Sequence, residues 1–219
     1  MLNIIKVFRL DILLIKQYIK TIIYIMIIPV FLVITSESLV IGVITAMTLI
    51  AMRGTSLAFI SEEKNSFNRF YGFIPVKKSE LIIGRYLFII IIGLSALIIT
   101  IVSQAILLSY RGVSILGIDY FIAFILGITI YLFGSAFQLP AFYKFGNTQG
   151  AIFAYIPLVA FLLMSYMVGS LDFIGLETSA AILNNEVLFS IILLIISIAL
   201  IFGSLIVSIK IYKNKEIKY

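Results

Sequence analysis

The chain has 219 residues, 63% of them hydrophobic and 12% charged, with a formal net charge of +6; soluble domains carry about 25% charged residues. That balance excludes a water-soluble globule, and at about 20 apolar residues per span the length allows about six spans and no folded soluble domain. With no Cys and no His, Cys/His zinc sites, haem ligation, disulfides and Ser-His or Cys-His catalytic pairs are excluded, and because the positives flank apolar runs, so is a nucleic-acid surface.

Residues 1–20 are expected to form an interfacial amphipathic helix on the cytoplasmic leaflet. At 100° per residue Lys6, Arg9, Lys16, Gln17 and Lys20 share one face, and Ile4, Ile5, Phe8, Ile12, Ile15 and Ile19 share the other. Leu10 and Leu13 break the pattern. A signal peptide is not expected, because Lys16 and Lys20 interrupt the apolar core and no small-residue cleavage site follows.

Charge-poor runs then predict six spans, at about 21–35, 39–60, 86–108, 120–142, 151–168 and 187–209. The first is short and holds Pro29, so its helix should continue from the preceding segment with Lys20 snorkelling to the surface. The third and sixth have 23 residues each and no charge; such a helix reaches roughly 35 Å. The expected fold class is all-α, a polytopic membrane protein forming a single transmembrane domain over residues 1–219. Three-plus-three inverted halves are disfavoured, because the long loop after span two has no counterpart in the second half.

Basic residues orient the spans. Four lie in the N-terminal segment, five between spans two and three, one (Lys144) between spans four and five, and four in the C-terminal tail. The opposite loops hold Arg111, against Glu37, Asp119, Asp172, Glu177 and Glu186. The positive-inside rule therefore predicts cytoplasmic termini.

Polar groups within the spans are few. Arg53 reads either as an ion pair in a translocation path or as an anchor snorkelling towards the interface, Glu62 or Glu63. Gln104 and Gln138 either line a polar path or bond across helices. No acidic residue lies deep in a span, so a proton- or sodium-coupled carrier lacks its usual relay. Small residues four apart, Ala123/Gly127 and Ala199/Gly203, allow close helix approach, within the chain or between chains. Residues 147–150, after Gly146, are expected to form a turn. No Gly-rich phosphate loop ending in Lys and Ser or Thr is present, so the chain is not expected to hydrolyse nucleotide or to be an enzyme.

The loop at 61–85 is 25 residues long, far more than a helical hairpin needs. Ser61 is suited to cap a short helix with Glu62 and Glu63 in its first turn, and Gly72 and Pro75 stop it. Ser79 then caps a fresh helix with Glu80 in its first turn, leading into span three. Phe67, Phe70 and Tyr71 fall on the first piece, which either docks a partner or rests among lipid head groups.

Here the sequence resembles the permease subunits of type-2 ABC exporters, in the small six-span bacterial branch. The resemblance rests on Glu62, Glu63, Lys64 and Asn65, then Phe70, then Ile74-Pro75-Val76-Lys77-Lys78, then Arg85-Tyr86 opening span three. A second motif, Leu139-Pro140 followed by Tyr143-Lys144-Phe145-Gly146, is similar to that family's turn between spans four and five. Departures are Ile74 for Leu, Lys77-Lys78 for Ser-Arg, and the absence of a basic residue at Gln149-Gly150.

The resemblance implies a bacterial plasma-membrane permease without its own cofactor. ATP and magnesium would be bound by a separate ABC ATPase subunit. That subunit would grip a coupling segment carrying Glu62, Glu63, Lys64, Asn65, Phe67, Arg69, Phe70, Tyr71 and Pro75. Six spans would supply half of the pathway, so a second copy or a related permease is a further implied partner, besides membrane lipid. The apolar walls suit an amphipathic peptide cargo, as in the phenol-soluble modulin exporters. The competing expectations are a membrane interaction or immunity protein without transport, and a carrier driven by an ion gradient.

Overall fold

A computed structural model describes residues 38–56, 77–159 and 186–214 continuously, and residues 6, 7, 9, 11–13, 16, 20, 23, 24, 27, 59 and 162 individually. Every regular element among the described residues is helical: α1 (Leu39–Gly54), α2 (Lys78–Tyr110), α3 (Gly117–Gly150), a 3-10 segment (Ala151–Tyr155) that continues as helix, and α4 (Glu186–Asn214).

Hydrocarbon cannot satisfy backbone polar groups, so an apolar chain within it must close its hydrogen bonds internally. Many hydroxyls of these helices close their own hydrogen bonds in the same way. Thr45, Thr48, Ser95, Thr100, Ser103, Ser190 and Ser197 each donate to a carbonyl three or four residues earlier in their own helix.

Among the described residues three helices are long and apolar enough to cross a membrane: Lys78–Tyr110, Gly117–Gly146 and Val187–Asn214. They correspond to the third, fourth and sixth predicted spans. The second is represented by α1, 16 residues long, with helical backbone again at Ser56 and Phe59. The fifth begins with the short apolar helix Thr148–Val159. Most of the span at 21–35, the end of the fifth, and residues 60–76 lie outside the described residues.

Three boundaries differ from expectation. The fresh helix expected to lead into span three from a cap at Ser79 is present but starts slightly earlier: α2 begins at Lys78, with Arg85 two turns inside it. Lys77, not Ser79, is the cap residue; its backbone N–H donates to Glu80 Oε2 at 3.2 Å. At 33 residues, and 1.5 Å per residue, α2 is roughly 50 Å long, against a hydrocarbon core of about 30 Å. Its first turns therefore have length to spare for the interface.

The second difference concerns the Pro–aromatic–basic segment, which is not a turn. Leu139, Pro140 and Tyr143–Phe145 belong to α3, and the chain reverses at Gly146, where φ is +78°. That left-handed backbone favours glycine because it has no Cβ. Third, residues 148–150 do not form a turn of their own. They open the helix Thr148–Val159, which folds back on α3 so that Pro157 meets Gly134 and Phe153 stacks on Phe145 at 5.8 Å.

At the other end of α2 the N–H groups of Gly112 and Val113 return to the carbonyls of Ser109 and Leu108, closing the helix in a Schellman arrangement. Asp119 then caps α3 by accepting from Leu116 N–H at 2.9 Å. The resulting hairpin sets α2 and α3 antiparallel.

Helix α3 is the central element, packed against α1, α2 and α4. Its register on α2 is fixed by a close approach at Gly93, where an added Cβ would lie 2.1 Å from the Tyr131 ring. The Tyr131 hydroxyl donates to the Ile89 carbonyl at 3.0 Å. The two small-residue pairs behave differently. Ala123 is buried and Gly127 meets Leu97, Val43 and Met47, whereas Ala199 and Gly203 lie on the exposed side of α4.

Candidate functional site

The end of the bundle carrying Lys77, Lys78, Lys144, Lys210 and Lys213 gathers polar and aromatic groups from every described helix. Its centre is an ion pair between Arg85 Nη2 and Asp11 Oδ1 at 3.5 Å, each side chain 1% exposed. Removing two charges from water is expensive, so such a pair persists only when its neighbours compensate. One neighbour is Phe59, whose ring faces the Arg85 guanidinium carbon at 5.0 Å, within cation–π range.

Phe59 links further. Its centroid lies 4.9 Å from Phe142 and 5.1 Å from Tyr143. Tyr143 meets Tyr212 of α4 edge-on at 5.6 Å, and Lys78 Nζ lies 5.9 Å from the Tyr212 ring centre. These separations suit favourable aromatic geometry.

Beside this chain runs a hydroxyl triad. The Tyr86 hydroxyl is 2.7 Å from both Ser204 Oγ and Ser208 Oγ. A phenol has one proton, so it donates to at most one serine and accepts from the other. One turn deeper, Thr55 Oγ1 donates to Gln138 Oε1, tying the end of α1 to α3. Gln138 Nε2 is buried without a hydrogen-bond partner among the described residues.

The N-terminal segment reaches this cluster by a face that differs from both predicted ones. Val7 and Asp11 are buried, while Lys6, Arg9, Lys16 and Lys20 are exposed, as is Ile12. At 100° per residue Val7 and Asp11 form a third edge, roughly opposite the basic one.

The two motif regions identified in the sequence thus meet in space: Arg85 and the Phe142–Tyr143 pair share Phe59 as a neighbour. The other predicted site residues divide. Glu62, Glu63, Lys64, Asn65, Phe67, Arg69, Phe70, Tyr71 and Pro75 lie outside the described residues. Arg53 is exposed on the last turn of α1. Gln104 and Gln138 are 2% and 0% exposed, but they do not adjoin. The Gly93–Tyr131 register sets Gln138 beside the Tyr86 level and Gln104 near the hairpin, separated along α2 by roughly 27 Å at 1.5 Å per residue.

Sequence reasoning missed Asp11, Phe59 and the Tyr86–Ser204–Ser208 triad. Two signals were present. Asp11 is the lone acidic residue before Glu37 and falls on neither predicted face. Ser190, Ser197, Ser204 and Ser208 recur at heptad-like spacing in an otherwise apolar helix, and all four are buried.

A family model described as ABC-2 family transporter protein matches residues 6–213. The match takes in Asp11, both motif regions and the α4 serines. Neither a curated protein nor a solved structure matches the chain.

Proposed function

The chain belongs to the ABC-2 family of transporter proteins, and from that premise we propose that it is the six-span, pathway-forming half of an ATP-driven exporter. At family level it is an integral-membrane permease subunit of an ABC transporter, of a kind that generally works with an ABC ATPase. The finer reading adds three parts. Both termini face the cytoplasm, within one transmembrane domain. Two copies, or this chain and a related one, complete the pathway. Residues 61–85 dock the ATPase, which binds ATP and magnesium in place of any cofactor in this chain.

The observation that carries the reading is the convergence of Phe59 and Arg85 at the two feet of that segment. Phe59 precedes it and Arg85, within α2, closes it, and both contact the cluster that joins α3 and α4. Motion applied to the segment therefore has a short route into the bundle. The cargo we favour is an amphipathic peptide, because polar side chains on the helices are few and the embedded Ser and Thr hydroxyls largely bond to their own backbone.

The test is co-purification with candidate ATPases, then ATP-dependent accumulation of a labelled amphipathic helical peptide in inside-out vesicles. Phe67→Ala/Phe70→Ala should lower ATPase recovery about tenfold or more, since central aromatics each contribute roughly 2 kcal/mol or more to docking. Membrane insertion should persist. Undiminished recovery and coupled hydrolysis in this variant would show that the segment is only interfacial.

A further inference from the structure

Resting on the reading above, we propose that Asp11 and Arg85 are positioning residues for transport: their buried pair fastens the N-terminal segment to both feet of the coupling segment, so that the three move as one body. Four observations converge on this. The pair is enclosed, with both side chains 1% exposed. It joins positions 74 residues apart in the chain, from two different segments. Its guanidinium also faces the ring of Phe59, beyond the end of α1. The next residue, Tyr86, holds α4 through Ser204 and Ser208.

Alternative ties at this place would be less directional. An aromatic contact tolerates sliding, whereas separating an enclosed ion pair gives up a Coulomb attraction that a low-dielectric setting makes strong. Displacing either foot therefore drags Asp11, and with it the N-terminal residues around it. The basic edge of that segment, with Lys6, Arg9, Lys16 and Lys20 exposed, stays free to remain at the membrane surface. The pair thus converts a push on a short loop into a coordinated shift of an interfacial helix, α1 and α2, which α4 follows through its serines.

The far end of the bundle supplies the readout. Tyr212 and Ser208 place the end of α4 at the basic end, so its start and the hairpin after α2 lie at the opposite one. The chain has no cysteine, so spin labels can be placed at Ser114→Cys and Leu188→Cys, both exposed. In the complex with its ATPase in lipid vesicles, the distance between the labels is compared without nucleotide and after trapping with ATP and vanadate. ATPase recovery and the thermal midpoint are measured alongside.

We expect a nucleotide-dependent shift in the otherwise wild-type chain and its loss in Asp11→Asn, with the ATPase still bound and hydrolysing ATP. The charge-swapped Asp11→Arg/Arg85→Asp should restore it. Phe59→Leu keeps the pair but removes the ring, and should reduce the shift by at least half. A full shift in Asp11→Asn or in Phe59→Leu overturns the proposal. So does a folded, ATPase-bound swap variant whose far end stays still, since the pair would then be a purely structural tie. If the parent chain binds no ATPase, the functional reading beneath fails first, and the latch falls with it.

Discussion

The middle of the bundle and its basic end hold the same helices together by different physics. In the middle the fit is steric. Tyr131 fills the space left by the missing Cβ of Gly93, and Leu97, Val43 and Met47 close on Gly127. Such packing has one good solution and tolerates little displacement. At the basic end the ties are an ion pair, a shared phenol proton and a chain of aromatic rings. The hydroxyls and rings can exchange partners or slide, while the enclosed ion pair holds its two segments together. The contrast teaches where force can enter and where it is only transmitted: the end is adjustable, the middle is stiff.

Four substitutions probe that contrast. The largest effect is expected from Arg85→Met, which preserves much of the volume but leaves the Asp11 carboxylate buried without its cation, at a cost of about 3–5 kcal/mol. Denaturation in detergent should show it, and Asp11→Leu in the same chain should recover a large part of the loss.

Gly93→Ala should come next. Its Cβ would meet a buried ring at 2.1 Å, and overpacking of this kind costs about 1–3 kcal/mol. Because the steric site is stiff, the damage should extend to the Tyr131–Ile89 bond, visible as faster amide exchange around Ile89. If Gly93→Ala proves harmless, the middle is as adjustable as the end and the contrast fails.

Tyr86→Phe removes the hydroxyl shared with Ser204 and Ser208. Interhelical hydrogen bonds in membranes are worth about 0.6–1.7 kcal/mol, so a loss near 1 kcal/mol is expected in the same denaturation assay. Combined with Ser204→Ala/Ser208→Ala it should cost less than the separate losses added, because all three groups share one network.

The smallest effect is expected at Gly203, beside which an added Cβ meets nothing within 4 Å. Gly203→Ala should leave the isolated subunit unchanged or stabilise it by up to about 1 kcal/mol through helix propensity. Should it instead break a crosslinked dimer in native membranes, the exposed face of α4 is in use between subunits.

Much of the fold was legible without coordinates. Leu39 as the start of α1 and the existence of α2, α3 and α4 followed from apolar runs. Their ends were less legible. Span limits were drawn at charges, but Lys144 lies inside a helix. A charge ends the apolar signal; it does not end a helix, which stops where backbone geometry stops it, as at Gly146. The motif regions were visible as residue types, and their meeting at Phe59 was not, since Phe59 reads as one more apolar residue of a span.

Composition and order therefore determined that this chain lives in a membrane and that it is helical. Those properties follow from solvation, which acts residue by residue and can be summed along a sequence. Tertiary structure decided which polar residues are partners. Asp11 and Arg85 are 74 positions apart, and Tyr86 lies 118 and 122 positions from its two serines. Helix register and close packing at Gly93 and Gly127 bring them within reach, and register is a property of pairs of helices that no single segment encodes.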